Sequence, residues 1–228
     1  MNGRNDRTLR GCRKGMPNAM PNAALHLPRR LALCAPLWRG LAGVGFPAAR
    51  AAAAEPAGKV DDLRGEASAQ TASRRRALAQ QADVFVGDTV ATAANSAMGL
   101  RLGAATLVRL GADAQLRIDR FIVDAGGVLY FGGGAMVLDR NEAVPKTDLS
   151  VRSPYGLIAV RGTRFFTGPS NGVFGVFVER GEVTVVGAST AVVVGAGLGT
   201  DIATPGGEPT EPHRWAAAGV QRAFADVG

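Results

Sequence analysis

Three short stretches constrain the fold of this chain more than any other feature. Leu100-Arg101-Leu102, Val108-Arg109-Leu110 and Leu116-Arg117-Ile118 repeat an apolar-arginine-apolar unit every eight residues, with Gly103-Ala104 and Gly111-Ala112-Asp113 in the intervals. Side chains alternate faces along a strand, so each unit buries two residues and exposes one arginine. Short strands at this even spacing point to an all-β sandwich, roll or solenoid.

More strands follow along the chain. Residues 128–131 end at Gly132-Gly133-Gly134, and 135–138 resume the pattern. Residues 139–148 are charged, contain Pro145 and read as a loop. Strands at 149–151 and 157–160 are split by Ser153-Pro154-Tyr155-Gly156, a turn signal. Phe174, Val176 and Val178 alternate, and Arg180-Gly181-Glu182 reads as a hairpin turn into 183–186. Residues 191–194 give the last clear strand before Pro205-Gly206-Gly207 and Pro209 mark a linker. Two segments read differently. Residues 66–82, rich in Ala, Gln and Arg, predict a short helix or a mobile insertion. Residues 212–225 predict a terminal helix, with Trp215 anchoring it on the body.

The formal net charge of +7 is unevenly placed. Residues 1–54 hold nine basic residues and one acidic one, and the remainder is close to neutral. A nucleic-acid binder needs its basic residues clustered on the folded domain, so that function class is set aside. Residues 1–54 instead read as an export leader: a basic region, Arg29-Arg30, an apolar stretch over 31–49 and the run Ala51-Ala52-Ala53-Ala54. Cleavage after Ala54 makes Glu55 the first mature residue and predicts a periplasmic protein exported by the Sec or twin-arginine route. Membrane association follows only if the leader is retained. Cys12 and Cys34 both fall in this leader, leaving a body without disulfide, thiolate ligand or thiol nucleophile.

Catalytic patterns are sparse. His213 is the only histidine of the body and sits in the terminal linker. The glycine run 195–199 lacks a following helix pattern, and Gly132-Gly133-Gly134 lacks the Lys-Ser/Thr of a phosphate loop. Asp61, Asp62, Asp88, Asp119, Asp124 and Asp139 could supply a carboxylate pair, but no spacing singles one out. No catalytic residue, cofactor or metal is expected.

The order of the pieces resembles the FecR domain family over about residues 58–200. Val151-Arg152-Ser153-Pro154-Tyr155-Gly156 followed by Arg161-Gly162-Thr163-Arg164-Phe165 looks like the family's Thr-Pro-x-Gly turn and Arg-Gly-Thr-x-Phe strand, with Ser153 where Thr is usual. Glu179-Arg180-Gly181-Glu182 resembles its acidic-Gly turn, and Val86-Gly87-Asp88-Thr89-Val90 its G-D-x-V opening. The resemblance implies an all-β, FecR-like antiparallel roll, sandwich or solenoid of short strands, ending in a short helix. It divides the chain into a leader (1–54), a β domain (55–205) and a linker with a terminal helix (206–228).

The family motif residues Pro154, Gly156, Arg161, Gly162, Thr163, Phe165 and Gly181 have structural duties first: a fold-defining corner with glycine where a Cβ would not fit and phenylalanine in the core. Arg101, Arg109 and Arg117 form the candidate interaction face. The resemblance implies a non-enzymatic envelope signalling or protein-interaction module with an envelope protein partner, related to iron-citrate-type signalling but lacking the cytoplasmic sigma-regulating domain. A glycan- or peptidoglycan-binding module, with Trp215, Tyr130 and Tyr155 as platforms, is the alternative reading, and a carboxylate enzyme the second.

Overall fold

The computed structural model describes residues 56–72, 74–122, 126–141 and 149–228, with the side chains of 120–122 excepted. The expected leader, residues 1–54 with Arg29-Arg30, Cys12 and Cys34, and the carboxylate Asp124 lie outside the described residues. The strands are β1 (Pro56–Arg64), β2 (Ala67–Thr71), β3 (Arg74–Ala77), β4 (Asp83–Phe85), β5 (Thr89–Thr92), β6 (Ala97–Leu102), β7 (Thr106–Leu110), β8 (Gln115–Ile122), β9 (Gly126–Gly133), β10 (Met136–Arg140), β11 (Leu149–Ser153), β12 (Gly156–Ser170), β13 (Val173–Val186), β14 (Ala191–Gly195) and β15 (Gly199–Ile202). One helix, α1 (Ala217–Ala225), follows them. The all-β expectation with a short C-terminal helix is met.

The eight-residue repeat behaves as its alternation requires. Leu100, Leu102, Val108, Leu110, Leu116 and Ile118 are fully buried, while Arg101, Arg109 and Arg117 are exposed.

The strand order explains how one sheet encloses a core. Hydrogen-bonded neighbours run β3-β2-β5-β8-β9-β11-β12-β10-β7-β6-β1-β4, with β13 on β12, and β14 and β15 on β13. Strands β1 and β2 therefore stand nine steps apart in the sheet. Laid flat, that separation would be about 43 Å. Only Gly65-Glu66 joins them, and the three residue steps across that link reach ~10 Å. Strands β4 and β5 are likewise far apart in the order, yet are joined by Val86-Gly87-Asp88. The sheet must curl until its ends meet, giving a rolled half-barrel. Val84 of β4, Ala69 of β2 and Phe165 of β12 accordingly share one hydrophobic core. One pair, β9 with β11, is parallel, so the roll is mixed and not wholly antiparallel.

Arg76 fastens this seam. It extends from β3, at one end of the strand order, and donates to the Asp83 carbonyl of β4, at the other end, at 2.8 Å. The same guanidinium nitrogen pairs with Asp88 Oδ2 at 2.7 Å and the group lies over the Phe85 ring. Asp88 is fully buried and also accepts from the Phe85 amide at 2.9 Å. Gly87 and Ile118 complete the closure: the Gly87 amide donates to the Ile118 carbonyl, and the Ile118 amide to the Asp88 carbonyl.

Four further expectations require correction. Residues 66–82 hold the β2–β3 hairpin and, among the described residues, no helix. Their alanines favour helix in isolation, but Ala67 and Ala69 alternate into the core, and tertiary burial overrides propensity. Arg180-Gly181-Glu182 is not a turn: β13 runs through it, and the turn of the β12–β13 hairpin lies at Asn171-Gly172, both with positive φ. These two strands, of 15 and 14 residues, are also far longer than the short strands expected. Finally, 191–194 is not the last strand, because β15 follows it and pairs with β13.

The long hairpin is covered on both faces. Phe165 points into the main core, and its neighbour Phe166 points the opposite way into a second cluster with Val137, Phe177, Ala223 and Val227. Trp215, Val220 and Phe224 close that cluster from outside. Trp215 lies in a slot above Gly175 and Gly199, where a Cβ would stand 2.5 and 2.3 Å from the indole. The expected anchoring by Trp215 is thus observed, although the helix expected over 212–225 begins only at Ala217 and Trp215 precedes it.

Two outcomes follow for stability. Arg76→Ala leaves the Asp88 carboxylate buried without its cation and is expected to cost ~3 kcal/mol or more in urea unfolding. Adding Asp88→Asn to that variant should recover part of the loss; strict additivity of the two would show that the pair does not couple. Phe166→Ala should cost about 3–5 kcal/mol. It should also strip hydrogen-exchange protection from α1 before β6 and β7, and equal loss in all three would refute the two-cluster description.

Candidate functional site

The Arg-Gly-Thr-x-Phe motif is the bend of the long hairpin. Before it, 157–160 of β12 pair with β11; after it, 164–167 pair with β10. Strand β13 changes partner at the same level, from β15 along 174–177 to β14 along 182–186. The β12–β13 register slips between Arg161 and Phe165, the mark of a β-bulge. Gly181 sits at this slip with φ +82°, and a Cβ there would stand 2.6 Å from the Thr163 methyl and 2.7 Å from the Gly162 carbonyl oxygen. Gly162 has positive φ as well, Thr163 is buried beneath the crossing, and Phe165 is in the main core. Arg161 is exposed, and its side chain makes no hydrogen bond or ion pair among the described residues.

Charges flank the bend. Asp139 Oδ2 accepts from Arg164 at 3.1 Å and its Oδ1 from Arg180 at 2.8 Å, while Arg164 also pairs with Glu179. Asp61 pairs with Arg101 at 3.0 Å, Asp88 with Arg76, and Asp119 with Arg117 at 2.9 Å. These carboxylates face guanidinium groups and not each other, which is a poor arrangement for acid–base chemistry.

The three repeat arginines do not meet on one face. Arg101 and Arg109 lie on neighbouring strands β6 and β7, with Arg109 donating to the Gly228 carbonyl at 3.0 Å. Strand β8 leaves β7 to pair with β5 and β9, so Arg117 is carried elsewhere in the sheet. There it meets the other motif instead.

A groove of about 630 Å³ lies between β8–β9 and the β11–β12 turn. Its lining includes Arg117, Tyr130, Arg152, Pro154, Gly156 and Leu157. The Arg117 guanidinium stacks over the Tyr130 ring at 4.6 Å, and Arg152 approaches the same ring at 5.9 Å while donating to its hydroxyl at 3.4 Å. The turn at its rim is held by Ser153. Its Oγ accepts from the Tyr155 amide and donates to the Gly156 carbonyl, each at 3.2 Å. The contacts that hold the turn come from a hydroxyl alone, which either Ser or Thr supplies. Gly156 is required for closeness: a Cβ would stand 2.4 Å from the Val186 carbonyl oxygen. A second cavity of about 360 Å³ shares Phe131, Gly132 and Pro154 with the first and adds Tyr155, Val173 and Phe174. Arg152 and Tyr130 were not singled out as a pair by the sequence; the parallel β9–β11 contact that places Arg152 opposite Tyr130 leaves no local signal.

The 206–228 segment is fastened to the body. Glu208 accepts from the Ser189 hydroxyl and from the Ser189 and Thr190 amides. Those bonds, led by the Ser189 hydroxyl, hold its carboxyl below the ordinary value of 4.5. His213 pairs with Asp201 at 3.3 Å, yet burial outweighs that attraction and raises the Asp201 carboxyl above 3.8.

The bend and the clamp each generate an expected outcome. Gly181→Ala should lower stability by ~1–3 kcal/mol through the left-handed strain it imposes. An unchanged melting temperature would remove the steric account of the bulge. Glu208 has a depressed folded value, so its stabilisation is complete above pH 4.5 and lost as pH falls through the lower folded value. Glu208→Gln should flatten the acid limb of the stability-versus-pH curve in that window, read by urea titration, and an unaltered limb would exclude the clamp.

Comparison with known proteins agrees with this architecture. Residues 88–184 match the family model described as FecR protein. No curated protein matches the chain significantly. Two crystal structures of a candidate anti-sigma factor from Parabacteroides distasonis share the fold at a TM-score of 0.50. One is 16% identical, over 60% of this chain and 64% of that one; the other is 15% identical, over 60% and 63%. At such identity the likeness concerns the fold alone, and the chain spans less than two thirds of either structure. The matched segment runs from the buried Asp88 of the seam, through the groove and bend, to the second half of β13, and over that segment the chain is similar to the FecR family.

Proposed function

We propose that this chain is an exported, non-enzymatic signalling module of the bacterial envelope that works by binding another protein. The FecR domain match over 88–184 carries this reading. The anti-sigma description of the structural neighbours is in keeping with a signalling role. The leader features of residues 1–54 support export and release of a mature protein beginning near Glu55. The carboxylate–guanidinium pairing described above supports the non-enzymatic part.

The sheet edges suggest how a partner docks. Edge strand β3 carries three consecutive arginines, and β4 has three residues beginning with Asp83. Charged or very short edges resist strand addition. Strand β15 is covered by Thr210 and His213, whose amides donate to Asp201 and Gly199. Strand β14, Ala-Val-Val-Val-Gly, pairs only with β13 and has no charged residue, and Val193 is 54% exposed. It is the uncharged open edge among the described residues, and it fits an extended, apolar strand of a partner protein. The glycan reading has weaker support, because each named platform has a covered ring: Trp215 by Phe177, Tyr155 by Phe174, and Tyr130 by Arg117.

Intact mass and cell fractionation of the native protein test export. A soluble periplasmic species beginning near Glu55 is the expected result, and an uncleaved cytoplasmic one would overturn it. For docking, site-specific crosslinking from the exposed position 191 in whole cells should trap a defined envelope protein. Val193→Lys should abolish that adduct at unchanged melting temperature. An undiminished adduct in the Lys variant would rule out the β14 edge.

A further inference from the structure

We infer that the groove beside Tyr130 is a binding site for an apolar monocarboxylate, with Arg152 as its charge-recognising residue. The site is separate from the β14 edge, and the inference stands whether or not that edge docks a partner.

The charge of the groove selects the ligand's sign. No carboxylate lines the 630 Å³ cavity, while two guanidinium groups do. Arg117 is already paired with Asp119 at 2.9 Å and stacked on Tyr130. Arg152 has only the Tyr130 hydroxyl and ring as partners among the described residues. Its guanidinium keeps most of its five N–H donors for a ligand, and that planar fork matches a carboxylate in two parallel hydrogen bonds. One uncompensated cation also favours a singly charged carboxylate over a doubly charged phosphate, which would leave a surplus negative charge in the groove.

The remainder of the lining selects the ligand's body. Leu157, Pro154 and the Phe131 floor are apolar, and the adjoining 360 Å³ cavity continues past Gly133 to Tyr155, Phe174 and Val173. Together the two cavities fall in the size range of sites for drug-sized ligands. Gly133 lines the second cavity, and a Cβ there would meet no protein atom within 4 Å. A side chain there would therefore enter the open space without disturbing the fold. The ligand is an acid whose carboxylate rests on Arg152 and whose aromatic or branched body runs over Phe131 toward Tyr155. Such a group is found both on free small acids and on the C-terminus of a peptide ending in an apolar residue.

The test is a titration of the isotopically labelled full chain, followed by NMR at the Arg152 side-chain and Gly133 amide signals. The probes are N-acetylphenylalanine, its carboxamide, and an acetylated Ala-Ala-Val-Phe peptide acid. Saturable shifts with the acid, and binding of the carboxamide weaker by about tenfold or more, are expected from loss of a charge-assisted pair. Arg152→Gln should erase that preference for the acid, and Gly133→Val should weaken all probes at unchanged melting temperature. A peptide acid binding tenfold tighter than the amino-acid derivative identifies a peptide C-terminus as the source; equal affinities identify a free acid. Absence of saturable shifts at millimolar probe, equal binding of acid and carboxamide, or undiminished acid preference in Arg152→Gln would each overturn the assignment.

Discussion

The rolled sheet depends on one guanidinium. Arg76 joins strands from opposite ends of the hydrogen-bonded order, and its anionic partner is a carboxylate with no access to water. A buried ion pair is a weak source of net stability but a strong constraint on geometry, because either member alone is far worse than both together. The pair therefore acts mainly as a selector of register. Without it, the β2–β3 hairpin would have few specific contacts, since its buried side chains are alanines. With it, the hairpin has one position relative to β4 and the Val86–Asp88 link, and the roll has one closure.

Much of the architecture was legible from local pattern. Period-two alternation marked β6, β7 and β8, and the Ser-Pro-Tyr-Gly turn marked the β11–β12 hairpin. What failed did so where local chemistry has two readings. Arg-Gly-Glu at 180–182 carries the same residues whether the chain reverses or bulges, and only the partner strand decides between them. The Asn171-Gly172 pair was the better signal, since both residues adopt the positive φ of a tight hairpin turn. The alanines of β2 gave a helical impression because alanine fits nearly any backbone and reports burial poorly.

The candidate site was legible in its parts and illegible in its assembly. Arg117, Pro154 and Gly156 each stood out in the sequence, for unrelated reasons. Even spacing suggested that Arg117 belonged with Arg101 and Arg109, yet neighbour-to-neighbour pairing ended at β7 and the sheet took β8 elsewhere. The pairing that builds the groove is the parallel one between β9 and β11, separated along the chain by β10. Long-range parallel pairing leaves no local trace, so Tyr130 and Arg152 could not be recognised as neighbours beforehand.

The contrast between the long hairpin and the seam bears on the order of assembly. Strands β12 and β13 are adjacent in sequence, joined by a two-residue turn, and can zip on a timescale of about 1–10 μs. The seam needs distant strands to be in place first, and loop-closure entropy delays such contacts. The fast-forming element lies in the second half of the chain, whereas the seam elements β1 to β5 come first. A chain threaded through a membrane from its N-terminus would therefore hold β1 to β5 for a time with only one another to pair with, before β6 and β8 are delivered. The run of arginines on β3 then has a use beyond the finished fold: like charges on this edge discourage pairing with other copies until the strands that complete the roll arrive.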